Sequence, residues 1–168
     1  MISDEEEKWH RANEAKATAV RITREHKERV CDLMNMAAGI ISVRGFHHDD
    51  SKFDDAEIGP LSNLQAIIVT EGPAAFGSAE YERRRDFLAP MLKHHYAKNS
   101  HHPEHYSDGV NGMCLFDLME MFLDWKAASE RGGESEMSIT EACRRFDVSP
   151  QLEAVFKNTA KTLKFKFK

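Results

Sequence analysis

The sequence predicts an all-α fold in a single domain. Three observations lead there. Apolar residues recur at steps of three and four through the longest segments, as in helices with one buried face. Helix start and stop residues punctuate those segments. No two segments alternate apolar and polar residues as partner strands would. A chain of 168 residues, 41% hydrophobic and 30% charged, can hold one ordinary core without disulfide staples. We divide it into an acidic segment 1–14, a helical domain 15–163 and a basic tail 164–168.

From Ala15 to Ile41, the residues Ala19, Ile22, Val30, Leu33, Ala37 and Ile40 share one face of a long helix. Arg44 in its last turn and Gly45 beyond it are stop signals. A polar loop covers 46–55. Residues 57–70 read as helix, with Pro60 able to open it. Ala66-Ile67-Ile68-Val69 alone would suit a strand, but it has no partner strand. Gly72-Pro73 and Gly77 mark a loop. Ser78 then caps a helix to about Lys98, which Pro90 must kink or split. After a loop at 99–112, a helix runs from Met113 to about Glu130 and ends at Gly132-Gly133. Ser138-Ile139-Thr140-Glu141 is a capping box for a short helix to Phe146. Ser149-Pro150 supplies N-cap and first residue of a final helix. The tail Lys164-Phe165-Lys166-Phe167-Lys168 reads as a solvated end.

Several classes drop out. No apolar run reaches the roughly 18 residues of a membrane span. The start, Met-Ile-Ser-Asp-Glu-Glu-Glu, lacks the apolar stretch of a secretory signal. Cys31, Cys114 and Cys143 are an odd number without C-x-x-C spacing, which fits a reducing, cytoplasmic setting rather than a disulfide framework. A net charge of −5 does not advertise a nucleic-acid partner. Histidine is the outlier. Of nine in the chain, seven fall between positions 47 and 105.

Position within the helices sharpens this clue. His26 stands between Ile22 and Val30, inside the apolar stripe of the first helix. In the helix from Met113, Leu115, Phe116, Leu118, Met119, Phe122, Leu123 and Trp125 surround the axis, as in a buried helix. Asp117, Glu120 and Asp124 nonetheless share one of its faces. Three carboxylates on a buried stripe repel one another unless basic partners or a metal ion compensate them. Leu88, Leu92, His95 and Asn99 share a face of the preceding helix, with His94 one step round.

The loops add His47-His48-Asp49-Asp50 and the run His94 to His105, five histidines in twelve residues. Neutral imidazole is the commonest metal ligand, and carboxylates complete such sites. An N/O donor set without a cysteine pair disfavours structural zinc. It favours one or two divalent ions (Mn, Fe, Ni, Co, Zn or Mg) in a site with open positions.

Taken in order, His26, the pair His48-Asp49, the later histidines and Asp124 resemble the HD-domain metal phosphohydrolases. His48-Asp49-Asp50-Ser51-Lys52-Phe53 looks like that superfamily's H-D-x-[GS]-K stretch. Three segments resemble more closely an uncharacterised HD-like family of phages and bacteria: His48 to Phe53, the His94 to His105 run with its N-x-H-H-P-E, and Glu120 to Trp125. The resemblance implies an HD-like helical bundle with metal held between helices. His26, His48, Asp49 and Asp124 match the basic ligand set. His94 or His95, with His101 or His102, would hold a second ion. Lys52 matches a lysine that faces substrate phosphate. Asp117 and Glu120 share the face of the late aspartate, so the identity of the liganding acid stays open; we take Asp124 as the ligand and Glu120 as the catalytic proton carrier.

The expected activity is therefore metal-dependent hydrolysis of a nucleotide or another small phosphoester, with no membrane or nucleic-acid partner. A homo-oligomer stays open. Two rivals remain. Ser138 to Thr159 resembles a helix-turn-helix, in which Arg144, Arg145, Lys157 and Lys161 would contact a nucleic-acid backbone. The other rival is a helical protein that binds metal without catalysis.

Overall fold

A computed structural model describes residues 2–75, 77–131 and 136–168. It is all-α. Seven helices are α1 (Asp4–Phe46), α2 (Asp55–Glu71), α3 (Ala79–Phe87), α4 (Ala89–Lys98), α5 (Leu115–Arg131), α6 (Ile139–Arg145) and α7 (Pro150–Thr162). Short 3-10 turns cover Asp50–Phe53, Pro103–His105 and Gly109–Gly112. Among the described residues, no helix is long and apolar enough to cross a membrane. The chain divides after Val43 into two compact units, each described by itself.

The first unit is α1 up to Val43. The helix starts earlier than periodicity predicts, because Ser3 and Glu6 form a capping box. The Glu6 amide donates to Ser3 Oγ at 3.3 Å, and the Ser3 amide donates back to Glu6 Oε2 at 2.8 Å. Asp4 to Glu7 place four acids at the positive end of the helix dipole. The expected burial of its stripe is corrected: Ile22 (55%), Leu33 and Ile40 (both 41%) are exposed, and α1 buries no residue. His26, expected within a buried stripe, is exposed with them.

The second unit begins at Arg44. Its core joins α5, α6 and α7 through Met121, Phe122, Ile139, Cys143, Phe156 and Ala160. The rings of Phe122 and Phe156 stack at 5.2 Å, and those of Trp125 and Phe146 at 5.8 Å. Contrary to expectation, α5 is not buried all round. Leu115 is 82% exposed, while Met121 and Phe122 face the core.

Boundaries follow local chemistry. Pro90 splits the predicted 78–98 helix into α3 and α4, and Ser78 Oγ accepts from the Tyr81 amide. Ser149 caps α7 the same way on Leu152 N, with Pro150 as its first residue. Ser138 precedes α6 but makes no side-chain cap, so the expected box is not formed. The expected stop at Gly132-Gly133 lies outside the described residues. The tail is corrected too. The Met137 amide donates to Lys166 O and the Lys168 amide to Met137 O, both at 3.0 Å, while Phe165 and Phe167 pack on the core. In the helix-turn-helix segment, Arg144 is paired with Glu141 and Lys157 with Glu153. Asp147 makes the tight turn in a left-handed conformation, φ 51°. Packing of two core helices accounts for the segment.

Candidate metal centre

The centre assembles in the second unit from helix ends and the loops between them. His48 and Asp49 follow α1. Asp49 is left-handed, φ 60°, which lets it and His48 face the same interior. Glu57 lies in the first turn of α2, where the helix dipole favours an acid. His95 ends α4, His101 and His102 occupy the following loop, and α5 contributes Asp117, Glu120 and Asp124.

Two carboxylates anchor three of the imidazoles. Glu120 Oε1 lies 2.9 Å from His48 Nδ1 and 3.0 Å from His101 Nδ1. Fully buried Glu57 holds His95 Nδ1 through Oε2 at 2.8 Å. With Nδ1 occupied, each ring turns Nε2 inward, as histidine ligands held by an outer carboxylate do. His48 Nε2 stands 3.4 Å from Asp49 Oδ2 and 3.5 Å from Asp124 Oδ1. His95 Nε2 stands 3.3 Å from Asp49 Oδ1 and 2.9 Å from His102 Nε2. His101 Nε2 is 3.5 Å from Asp49 Oδ1.

Two metal-capable groups result: Asp49, His95, His101 and His102, and beside them His48, His101 and Asp124. Both use His101, whose inward nitrogen can serve one ion only. Asp49 faces both groups, with Oδ1 towards His95 and His101 and Oδ2 towards His48. One observation tests the fit of a cation. Asp49 Oδ1 and His101 Nε2 are buried and make no hydrogen bond. Such atoms cost roughly 1–3 kcal/mol each if left unsatisfied, and both are donors a divalent ion accepts.

Electrostatics agree. Asp124 and then Glu120 push His48 up to about 10, against the effect of burial. Burial brings His102 down to about 3, helped by its histidine neighbours. Burial opposes ionisation of Asp49 and Asp124, but Lys52 on the first and His48 on the second more than offset it, leaving both below the usual range. Both carboxylates are thus held ionised, the form in which an aspartate ligates a cation.

The expected residues separate here. His48, Asp49, His95, His101, His102 and Asp124 come together. His94 does not join them; its Nδ1 bonds Glu57 Oε1 at 2.8 Å, behind His95. His26 belongs to the first unit and is exposed. Lys52 Nζ sits on Asp49 Oδ2 at 2.5 Å. Glu120, expected to carry protons, has both oxygens engaged: Oε1 meets two imidazoles and Oε2 accepts from Arg44 Nε at 2.7 Å. Asp117 lies outside both groups. It accepts from Arg44 and Ser100 (2.6 Å each), Tyr106 OH (2.9 Å) and the Cys114 amide (2.9 Å). The sequence pattern missed Glu57, and it read Arg44 only as a helix stop. Ser51, read there only as part of the stretch His48 to Phe53, accepts from Asn99 Nδ2 at 2.7 Å beside His95.

This architecture defines a class: an all-α protein whose histidines and aspartates converge on two adjoining, partly buried groups, each of three imidazoles held by an outer carboxylate. Within it, the chain belongs to the Family of unknown function (DUF5662), whose model matches residues 15–162. No curated protein and no solved structure matches the chain.

Proposed function

We propose that the protein is a metal-dependent phosphohydrolase acting on a nucleotide or another small phosphoester. The observation that carries this reading is the pair of buried, unbonded atoms, Asp49 Oδ1 and His101 Nε2, inside a ring of anchored imidazoles. His48, Asp49, His95, His101, His102 and Asp124 would hold the ion or ions. A bound divalent cation brings the pKa of a water towards neutrality and neutralises charge on a phosphoryl oxygen. The chain's own residues do the rest. Glu120 and Glu57 fix the rings, so little reorganisation accompanies binding. Lys52, at the half-exposed edge of the site, offers a point charge for phosphate. The likeness of His48 to Phe53 to the HD stretch favours phosphorus chemistry over other hydrolysis.

The test has two stages. Elemental analysis of purified protein comes first. Turnover of nucleotides, cyclic nucleotides and p-nitrophenyl phosphate with Mn, Ni, Co and Mg follows, with Asp49→Ala as control. Stoichiometric metal and turnover absent from the control are expected. Metal without turnover would leave a non-catalytic binder, and absence of metal after reconstitution would defeat both readings.

A further inference from the structure

A second cavity lies in the same unit, away from the metal-ligating atoms. It measures about 310 Å³ and is walled by α2, α3, α4 and α6. Leu64, Ile68 and Leu88 give it aliphatic lining, while Arg85 and Arg145 stand among its other lining residues. Those two arginines also line an adjoining hollow, together with Glu82 and Glu141 and without the three aliphatic residues. The cavity therefore combines an aliphatic lining with two guanidinium groups that it shares with the neighbouring hollow.

The arginines differ in how far they are committed. Arg84, also in the wall, is spent on the fold. It donates to Gly72 O at 2.9 Å and pairs with Glu71 at 3.2 Å and with Glu80. Arg85 reaches Glu82 only at 3.5 Å. Arg145 lies over the Phe146 ring, 5.0 Å from its centroid, and among the described residues forms no ion pair. Two guanidinium groups from different helices thus line one space, Arg85 in a long pair with Glu82 and Arg145 without an ion pair among the described residues. The guanidinium fork suits phosphate or carboxylate.

We propose that this cavity is a binding site for a small amphipathic anion, an aromatic or aliphatic body bearing a phosphate or phosphonate, separate from the metal centre. The body lies against Leu64, Ile68 and Leu88, and the anionic group is gripped by Arg85 and Arg145. The volume suits a compact ligand. Tyr96 divides this cavity from the metal centre. It lines the cavity, and its ring packs 5.0 Å from that of His102. Burial and then Glu104 raise the Tyr96 hydroxyl, while Arg145 and Arg85 pull it back, which places both guanidinium charges near that wall.

Benzylphosphonate, which lacks a hydrolysable ester, tests the site by calorimetry on the full chain. Inorganic phosphate supplies the charge alone and benzyl alcohol the body alone. We expect benzylphosphonate to bind at least about tenfold more tightly than either. Arg85→Met and Arg145→Met keep the aliphatic stem, so they should hold the wild-type melting temperature and each weaken binding about tenfold or more. Arg145→Gln is the substitute if the methionine variant aggregates. Asp49→Asn should leave the affinity unchanged. Loss of binding in Asp49→Asn with retention in both arginine variants would move the ligand to the metal centre and overturn the proposal. Equal binding of phosphate and benzylphosphonate would also overturn it, as charge attraction without a cavity.

Discussion

Asp117 and Asp124 lie seven residues apart on one face of α5, about 10 Å along the axis, and the structure gives them different work. Asp124 Oδ1 faces His48 Nε2, whereas Asp117 is saturated by Arg44, Ser100, Tyr106 and Cys114. Asp124→Asn should therefore lose metal and activity, with a loss of stability no larger than the roughly 2.7 kcal/mol that the ion contributes. Asp117→Asn should keep the metal and cost roughly 3 kcal/mol, the lower end for breaking a buried ion pair. Metal content and melting temperature for both variants decide it. Metal loss from Asp117→Asn alone would reverse the assignment. Asp117 also predicts a pH dependence. Burial raises its pKa, but the hydrogen bonds from Cys114, Ser100 and Tyr106 more than offset that and hold it well below the usual carboxylate range. A depressed carboxyl stabilises above its unfolded pKa of about 3.9, and the contribution is lost as pH falls through the folded value. The gap in melting temperature between wild type and Asp117→Asn should hold above about pH 5 and shrink below about pH 4. A gap that widens in acid would contradict it.

At the scale of elements, the legible signals were those carried by neighbours in sequence. Pro90 announced the α3–α4 break, Ser149-Pro150 the start of α7, and His48-Asp49 with the 94–105 run announced the metal-capable loops. Glu57 and Arg44 were not legible, because their roles exist only across long separations: Glu57 meets His94 37 residues later, and Arg44 meets Glu120 76 residues later. Periodicity also misjudged α1, since an apolar stripe states what a helix can bury, not what covers it. One connecting element makes a test of its own. Gly112 closes the 3-10 turn before α5, and a Cβ added there would stand 2.7 Å from Tyr106 Cβ and 2.8 Å from its Cγ. Those atoms are anchored near the backbone, and the Tyr106 hydroxyl is tied to Asp117 Oδ2. Gly112→Ala should cost about 1–3 kcal/mol by overpacking, and Gly112→Ala combined with Tyr106→Gly, which removes the Tyr106 Cβ as well as its ring, should cost less than the two single changes summed. Strict additivity in denaturant titrations would show that the clash is relieved elsewhere.

At the scale of the molecule, apolar and polar cohesion are unevenly distributed. The buried members of the main hydrophobic cluster all come from α5 onward. The polar centre instead ties Arg44, the His48–Ser51 stretch, the start of α2, the end of α4 and the loop after it to Glu120 and Asp124 of α5. A cation held by donors from these separate segments would clamp them together, and removing it would return the uncompensated cost of Asp49 Oδ1 and His101 Nε2. A ligand at about 100 times its Kd stabilises by about 2.7 kcal/mol. For a chain of this size that is a melting shift of roughly 5–10 °C. Chelation should lower the melting temperature by that amount, and readdition of metal should restore it. Amide exchange should locate the loss. Protection should fall around 44–57 and 94–102, whereas Phe122, Ile139 and Phe156 lie in the apolar cluster and should keep theirs. Asp49→Asn should show the same loosening with or without chelator. A chelator effect of equal size in Asp49→Asn, or protection lost first in α6 and α7, would place the stabilising ion somewhere other than this centre.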